Sequence, residues 1–172
     1  MKLNWRRKRE EGKKKEEDDY VCRRVLKRAK KEEDEDGEEI ERTRPLVTIV
    51  VPIHNAMPWL EETFESILKQ TYTNLEVSVW NDASTDTSED ALKRWEIKFK
   101  KRNIKFVKSG TEKNALGAGA ARNRCVKQST GTYLCILDAD DVCQPKRVEL
   151  QLKMARKHKD AIVGSGFTRI PE

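Results

Sequence analysis

The stretch Tyr133-Leu134-Cys135-Ile136-Leu137-Asp138-Ala139-Asp140-Asp141-Val142 is a short apolar run that stops in three carboxylates. An apolar run this brief, bounded by Gly131 and Pro145, predicts a buried strand. Ionised acids at the end of a buried strand carry a large desolvation cost, and they repel one another unless a cation sits among them. A divalent metal answers both problems, because hard cations take carboxylate oxygens and magnesium shares one or two of them with a substrate's phosphates. The alternative is an exposed acidic turn capping a helix that begins near Pro145. On this stretch alone both readings stand.

Three more polar clusters follow predicted strands or precede predicted helices. They are Pro52-Ile53-His54-Asn55, Asn81-Asp82, and residues 114–124, which contain Asn114, Arg122 and Asn123. Each is weak by itself, since Asn55, Asn81 and Asn114 also suit turns and a loop histidine has many roles. Taken together they hold a carboxylate, Asp82, that can accept from a ribose or a base. They add basic groups, Lys113 and Arg122, for phosphates. Asp138 and Asp140 form an Asp-x-Asp pair whose metal would act as a Lewis acid on a leaving diphosphate. A sugar-nucleotide site needs this set.

The elements that position these residues alternate between strand and helix. Leu46-Val47-Thr48-Ile49-Val50-Val51 predicts a buried parallel strand that ends at Pro52. Pro58 suits the first turn of a following helix, whose apolar face is Leu60, Phe64, Ile67 and Leu68. Leu75-Glu76-Val77-Ser78-Val79-Trp80 alternates as a second strand. Thr87 or Ser88 caps a helix bearing Ala91, Leu92, Trp95 and Phe99. Ile104-Lys105-Phe106-Val107 is a third, short strand. Gly117 and Gly119 open a helix that Gly131 ends, and the acidic strand comes next. Val148, Leu152 and Ala155 mark a last helix, and Ala161-Ile162-Val163-Gly164 begins a further strand. The pattern predicts an α/β domain: an open, mostly parallel sheet flanked by helices, joined by right-handed crossovers. In such sheets ligands lie beyond the carboxyl ends of the strands, where strand order reverses, and all four clusters fall on that edge.

The 172 residues suffice for one domain with a core. Charged residues are 38% of the chain, against an ordinary quarter, and the excess is concentrated in residues 1–44. That segment is expected to be a disordered, dispensable tail, apart from an amphipathic stripe at Tyr20, Val21, Val25 and Leu26. Its basic blocks admit a nuclear address or an RNA-contacting arm, and mixed-sign blocks equally suit a solvated tail. The globular part is placed at residues 45–172. A net charge of +6 does not demand nucleic acid as a partner. No run approaches the ~20 apolar residues of a membrane span, and the amino terminus lacks the apolar core of a secretory signal. Cys22, Cys125, Cys135 and Cys143 form no CxxC pair and are read as reduced thiols, in a cytoplasmic or nuclear setting.

Val51-Pro52-Ile53-His54-Asn55, Asn81-Asp82-Ala83-Ser84-Thr85-Asp86, Gly119-Ala120-Ala121-Arg122-Asn123 and Leu137-Asp138-Ala139-Asp140-Asp141 resemble, in order, the motifs of family 2 glycosyltransferases of GT-A fold. The resemblance covers residues 45–172. Within the family, Asn81-Asp82-Ala83-Ser84, Gly131-Thr132-Tyr133-Leu134-Cys135, Asp140-Asp141-Val142 and Pro145-Lys146-Arg147-Val148 are most similar to the β-1,3-N-acetylglucosaminyltransferase-like protein 1 group. The resemblance implies a UDP-sugar donor, Mn2+ or Mg2+, and transfer of a hexosyl group with inversion to an acceptor such as queuosine-tRNA or a glycan. It implies contacts of Asp82 with uridine, Asp138 on the ribose side and Asp140 with the metal, and it places Arg122 and Asn123 along the donor pocket. Pro52, His54, Asn55 and Asn114 join them as donor-binding candidates.

Family 2 enzymes carry their general base well after the acidic strand. Neither Glu149, Asp160 nor Glu172 lies in a recognisable base motif, so the chain is expected to hold the donor-binding half only. Two alternatives accompany this reading: a non-catalytic nucleotide-sugar-binding protein, and a haloacid-dehalogenase-like phosphatase, whose Asp-x-Asp also closes an apolar strand.

Overall fold

The computed structural model describes residues 44–111, 113–158 and 160–169. The predicted amino-terminal tail, with its helical stripe and Cys22, lies outside these residues, as does Glu172.

Four strands form one parallel sheet in the order β3-β2-β1-β4. They are β1 (Val47–Ile53), β2 (Leu75–Asp82), β3 (Lys105–Thr111) and β4 (Tyr133–Ile136). The helices are α1 (Leu60–Leu68), α2 (Ser88–Lys101), α3 (Ala118–Gln128) and α4 (Arg147–Lys157). Strand order grows from β1 through β2 to β3 and then jumps back, laying β4 on the other side of β1. The topological switch point therefore falls between β1 and β4.

Alternation along β1 sorts its side chains onto two faces. Val47, Ile49, Val51 and Ile53 enter a core shared with Leu60, Phe64, Leu92, Trp95, Phe99, Val148 and Leu152 from α1, α2 and α4. Phe64 is its hub, meeting Trp95 and Phe99 edge-on at 5.5 and 5.4 Å. Val50 faces the other way, into a smaller cluster with Cys125 and Val126 of α3. With helices on both faces, β1 and β2 read as near-continuous buried strands.

Several local expectations are corrected. Pro52 does not end β1, which continues to Ile53. Val50 O accepts from Leu137 N at 3.0 Å, so residues of this parity point their backbone groups toward β4. Since β4 pairs β1 only up to Ile136, the missing N–H of Pro52 faces a side with no strand to bond it. Pro58 precedes α1 rather than lying in its first turn. Neither Thr87 nor Ser88 caps α2 with its side chain; Asp86 Oδ1 accepts from Ser88 N instead, at 3.0 Å. β3 is longer than expected, because β2 pairs with it from Lys105 to Thr111. Residues 161–169 form no strand: Ile162 and Phe167 are fully or almost fully exposed, and Val163 O meets only the Gln151 amide of α4.

The alternation seen in β2 does not give a solvent face. Glu76 and Ser78 point into the α3 side, where Ser78 Oγ donates to Cys125 O at 2.7 Å. Glu76 is wholly buried at the amino end of the sheet. One oxygen accepts from Thr48 Oγ1 (2.7 Å) and Thr130 N (2.6 Å), the other from Thr130 Oγ1 (2.6 Å) and Lys105 Nζ (2.7 Å). Burial alone would push this carboxyl up, but the bonds from Lys105, Thr130 and Thr48 hold it at about 2. Gly131 completes the knot, donating to Thr48 Oγ1 at 3.0 Å.

Candidate nucleotide-binding cleft at the switch point

A cleft of about 380 Å³ opens at the carboxyl ends of the strands, straddling β1. Its charged and polar walls come from three places: Pro52, His54 and Asn55 after β1, Asp82 at the end of β2, and Asp138 and Asp140 after β4. Gly117, Ala121 and Arg122 of α3 and its approach close another side, and Trp59 stands at the foot of α1. Among the expected site residues, Asn114 and Asn123 do not line it. Glu149, at the start of α4, accepts from Thr71 Oγ1 and is likewise off the cleft.

Asp82 is a structural hub before it is anything else. Its carboxylate accepts from Leu116 N (2.9 and 2.8 Å) and Gly117 N (2.8 Å), which docks the approach to α3 onto the end of β2. Gly117 turns into the helix with φ +88°, a conformation that favours glycine. The Asp82 carbonyl meets His54 Nδ1 at 2.6 Å. A carbonyl can only accept, so Nδ1 carries the proton and Nε2 is left as an acceptor in the neutral ring.

Asn55 acts as a turn former. At φ +50° its Oδ1 accepts from Thr85 N at 2.8 Å, and its own N–H donates to Ser84 Oγ at 3.0 Å. Asn81 does the same within its own loop, accepting from Ser84 N and donating to Glu89. Asp86 accepts from Met57 N at 3.0 Å; its carboxyl would be raised by burial, but the bonds from Ser88 and Met57 bring it below the usual range. The loop after β1 and the loop after β2 are thus laced together. Ser84, Asp86 and Asp82's backbone role carried no distinctive sequence signal beyond a polar loop.

The acids after β4 sit differently from the expectation. The strand stops at Ile136, and Asp138 keeps half of its side chain exposed, while Asp140 and Asp141 are exposed. Their charges are therefore not paid for by burial in a strand end. Nor do they cap the next helix, whose N-cap Lys146 makes no side-chain cap bond. Asp138 Oδ1 accepts from Arg122 Nη2 at 2.7 Å. Arg122 Nε is buried with no hydrogen-bond partner. Ala139 O accepts from Thr63 Oγ1 at 2.8 Å, which fastens the acidic turn to α1.

The lining charges at neutral pH are the three carboxylates Asp82, Asp138 and Asp140 against one guanidinium, Arg122. Among the described residues, no group of three His, Cys, Asp or Glu side chains converges to hold a metal alone. Two carboxylates on one turn do fit a cation of the magnesium or manganese type, which completes its shell with water and substrate oxygens. The orphaned Nε of Arg122 fits an anionic oxygen beside it.

Elsewhere, Cys125, Cys135 and Cys143 are free and buried, as expected of reduced thiols. No helix among the described residues is long and apolar enough to cross a membrane.

The profile of the Glycosyl transferase family 2 matches residues 48–172. The putative glycosyltransferase EpsE of Bacillus subtilis (strain 168) is 35% identical over 124 residues, 72% of this chain and 43% of EpsE. The uncharacterized glycosyltransferase MJ1057 of Methanocaldococcus jannaschii is 37% identical over 122 residues, 70% of this chain and 40% of that protein. The mannosyltransferase PcManGT from Pyrobaculum calidifontis, solved in complex with GDP-Man and Mn2+, superposes with a TM-score of 0.55 at 34% identity, covering 63% of this chain and 31% of that one. TarS 1-349 of S. aureus in complex with UDP shares the fold, with a TM-score of 0.59 at 24% identity over 72% of this chain and 38% of TarS 1-349. The chain spans under half the length of each of these proteins.

Proposed function

The chain belongs to glycosyl transferase family 2, and from that premise we propose that the cleft binds a nucleoside-diphosphate sugar, a UDP-sugar in the first instance, together with Mn2+ or Mg2+. The observation that carries this reading is the lining charge. Three carboxylates and one guanidinium leave a cleft with an excess of two negative charges, into which a diphosphate cannot go unaccompanied. A divalent cation between Asp138 and Asp140 removes the repulsion. When bound, it supplies Lewis-acid stabilisation of the departing diphosphate.

The chain's own residues fill the remaining roles. Asp82 is fixed by Leu116 and Gly117, yet each of its oxygens keeps a further lone pair for a donor on the nucleoside. His54 Nε2, which lies 3.4 Å from Asn55 Nδ2, is a second acceptor on the same wall. Arg122, oriented by Asp138, presents Nη and Nε groups to phosphate oxygens. Asn55 holds the loop walls in place rather than touching the donor. Asn123 and Asn114 are assigned to the margin of the site. We place the nucleotide-sugar-binding part at residues 45–172 and residues 1–44 in a separate charged tail.

Within the family we assign the chain to the β-1,3-N-acetylglucosaminyltransferase-like protein 1 group, with inverting transfer of a hexosyl unit and queuosine-tRNA or a glycan as acceptor; the support is the set of sequence runs quoted above. Inversion needs a base opposite the leaving group. Among the described residues, no carboxylate besides Asp82, Asp138 and Asp140 lines the cleft, and we assign this chain donor binding with slow transfer. The non-catalytic binding reading shares that property, and the transfer assay separates the two. The phosphatase reading is set aside, because the family match spans all four motifs.

Calorimetry with UDP tests the proposal. Binding is expected with Mn2+ and is lost on chelation, and Asp140→Ala removes the metal dependence. Equal UDP affinity with and without chelator would overturn it. Robust transfer from UDP-galactose, UDP-glucose or UDP-N-acetylglucosamine to tRNA or simple glycosides by the 172-residue chain would show that an acid already present, Asp141 first, serves as base.

A further inference from the structure

Trp59 is 53% exposed at the wall of the cleft. Tryptophan is ordinarily well buried, and Trp95 of the same domain is completely so. A large indole left in water at the wall of the cleft is unexplained by packing. Its backbone, in contrast, is firmly held. Trp59 is the N-cap of α1, and its carbonyl accepts from Thr63 N at 3.1 Å and lies 3.3 Å from Thr63 Oγ1. The same hydroxyl reaches Ala139 O at 2.8 Å. One threonine therefore joins the backbone of Trp59 to the acidic turn that carries Asp138 and Asp140.

That junction fixes the side of the cleft on which the indole stands. β1 separates β2 from β4, so Asp82 and the acidic turn leave strands about 10 Å apart. Through Thr63 the backbone of Trp59 is tied to the acidic turn. If the diphosphate is neutralised at Asp138 and Asp140, the group next to Trp59 is what the diphosphate carries, not the base. A pyranose has an apolar C–H face and a polar rim, which suits an indole plane at the edge of water.

We infer that Trp59 is the platform on which the hexose ring of the nucleotide-sugar donor stacks, and is therefore a specificity-determining residue for the sugar. The inference rests on the donor-site assignment above. It goes further by giving the sugar its own contact, separable from the nucleotide's. Because Thr63 holds the Trp59 carbonyl, binding has mainly the indole's own torsions to order.

The experiment is a comparison of UDP with UDP-glucose, UDP-galactose, UDP-N-acetylglucosamine and GDP-mannose by calorimetry on the full chain with Mn2+, in wild type, Trp59→Ala and Trp59→Phe. The preferred sugar is expected to add roughly 3- to 10-fold to the affinity of its parent nucleotide. Trp59→Ala should erase that increment and leave UDP affinity within about two-fold, while Trp59→Phe, which keeps an aromatic plane, should retain most of it. Indole fluorescence gives a second readout: the sugar-dependent change in wild type should vanish in Trp59→Phe. Thermal unfolding confirms that the surface substitutions leave the fold intact. Equal weakening of UDP and UDP-sugar by Trp59→Ala would place the indole against the nucleotide and overturn the inference. So would a sugar increment that survives Trp59→Ala, or no increment in wild type for any of the donors. Wild type that binds no nucleotide at all would overturn the donor-site assignment itself, and Trp59's role with it.

Discussion

Replacing Glu76 with Gln should cost this domain about 3 kcal/mol at pH 7, and the cost should fade in acid. The carboxyl moves from 4.5 to about 2 on folding, although its side chain has no exposed surface. At ~1.36 kcal/mol per unit, that difference corresponds to roughly 3 kcal/mol of stability. The sign follows from the direction of the shift. A depressed carboxyl contributes fully above its unfolded value near 4.5 and loses its contribution as pH falls through about 2. Gln mimics the protonated acid in shape, so the gap between wild type and Glu76→Gln should stay at ~3 kcal/mol at pH 4.5 and shrink to less than about half of that at pH 3. Urea titrations followed by circular dichroism at pH 7, 4.5 and 3 measure it. A gap under about 1 kcal/mol at pH 7, or one that is unchanged at pH 3, would refute the reasoning that Lys105, Thr130 and Thr48 hold an ionised Glu76.

Gly131→Ala should destabilise the chain by about 1–3 kcal/mol, because an added Cβ would lie 2.4 Å from Thr48 Oγ1 and 2.9 Å from Leu46 O; the same urea titration checks it. Asp82→Ala leaves two backbone N–H groups unbonded, so amide exchange at Leu116 and Gly117 should accelerate at a cost of about 1–3 kcal/mol, read by hydrogen exchange. Arg122→Met should change stability by under about 1 kcal/mol, since its ion pair with Asp138 is partly solvated, yet weaken UDP binding at least ten-fold by calorimetry. Cys125, pushed up to about 12 by burial, should resist thiol reagents at pH 8 until the protein is unfolded.

The strand–helix alternation was legible because β-branched runs and the Leu60, Phe64, Ile67 stripe report burial directly. The acidic turn and Asp82 were also legible, as charged residues placed just past apolar runs, and Arg122 as a basic residue in the helix that Gly117 and Gly119 open. What the sequence could not show is where polar groups find their partners. Glu76 reads as the polar half of an alternating strand, and only the arrival of α3, Thr130 and Lys105 reveals it as buried. Asn55 reads equally as a ligand contact or a turn former, and the structure shows its Oδ1 taken by the N–H groups of Thr85 and Asp86 while it also lines the cleft. Ala161-Ile162-Val163-Gly164 has strand composition, but no ladder partner stands beside it among the described residues.

The two ends of β2 insulate two kinds of acid chemistry from each other. Glu76 and Asp82 lie six residues apart on one strand, about 20 Å. The Glu76 knot and the cleft thus sit at opposite edges of the sheet. Acidification that discharges the knot therefore acts on the fold from the edge away from the cleft.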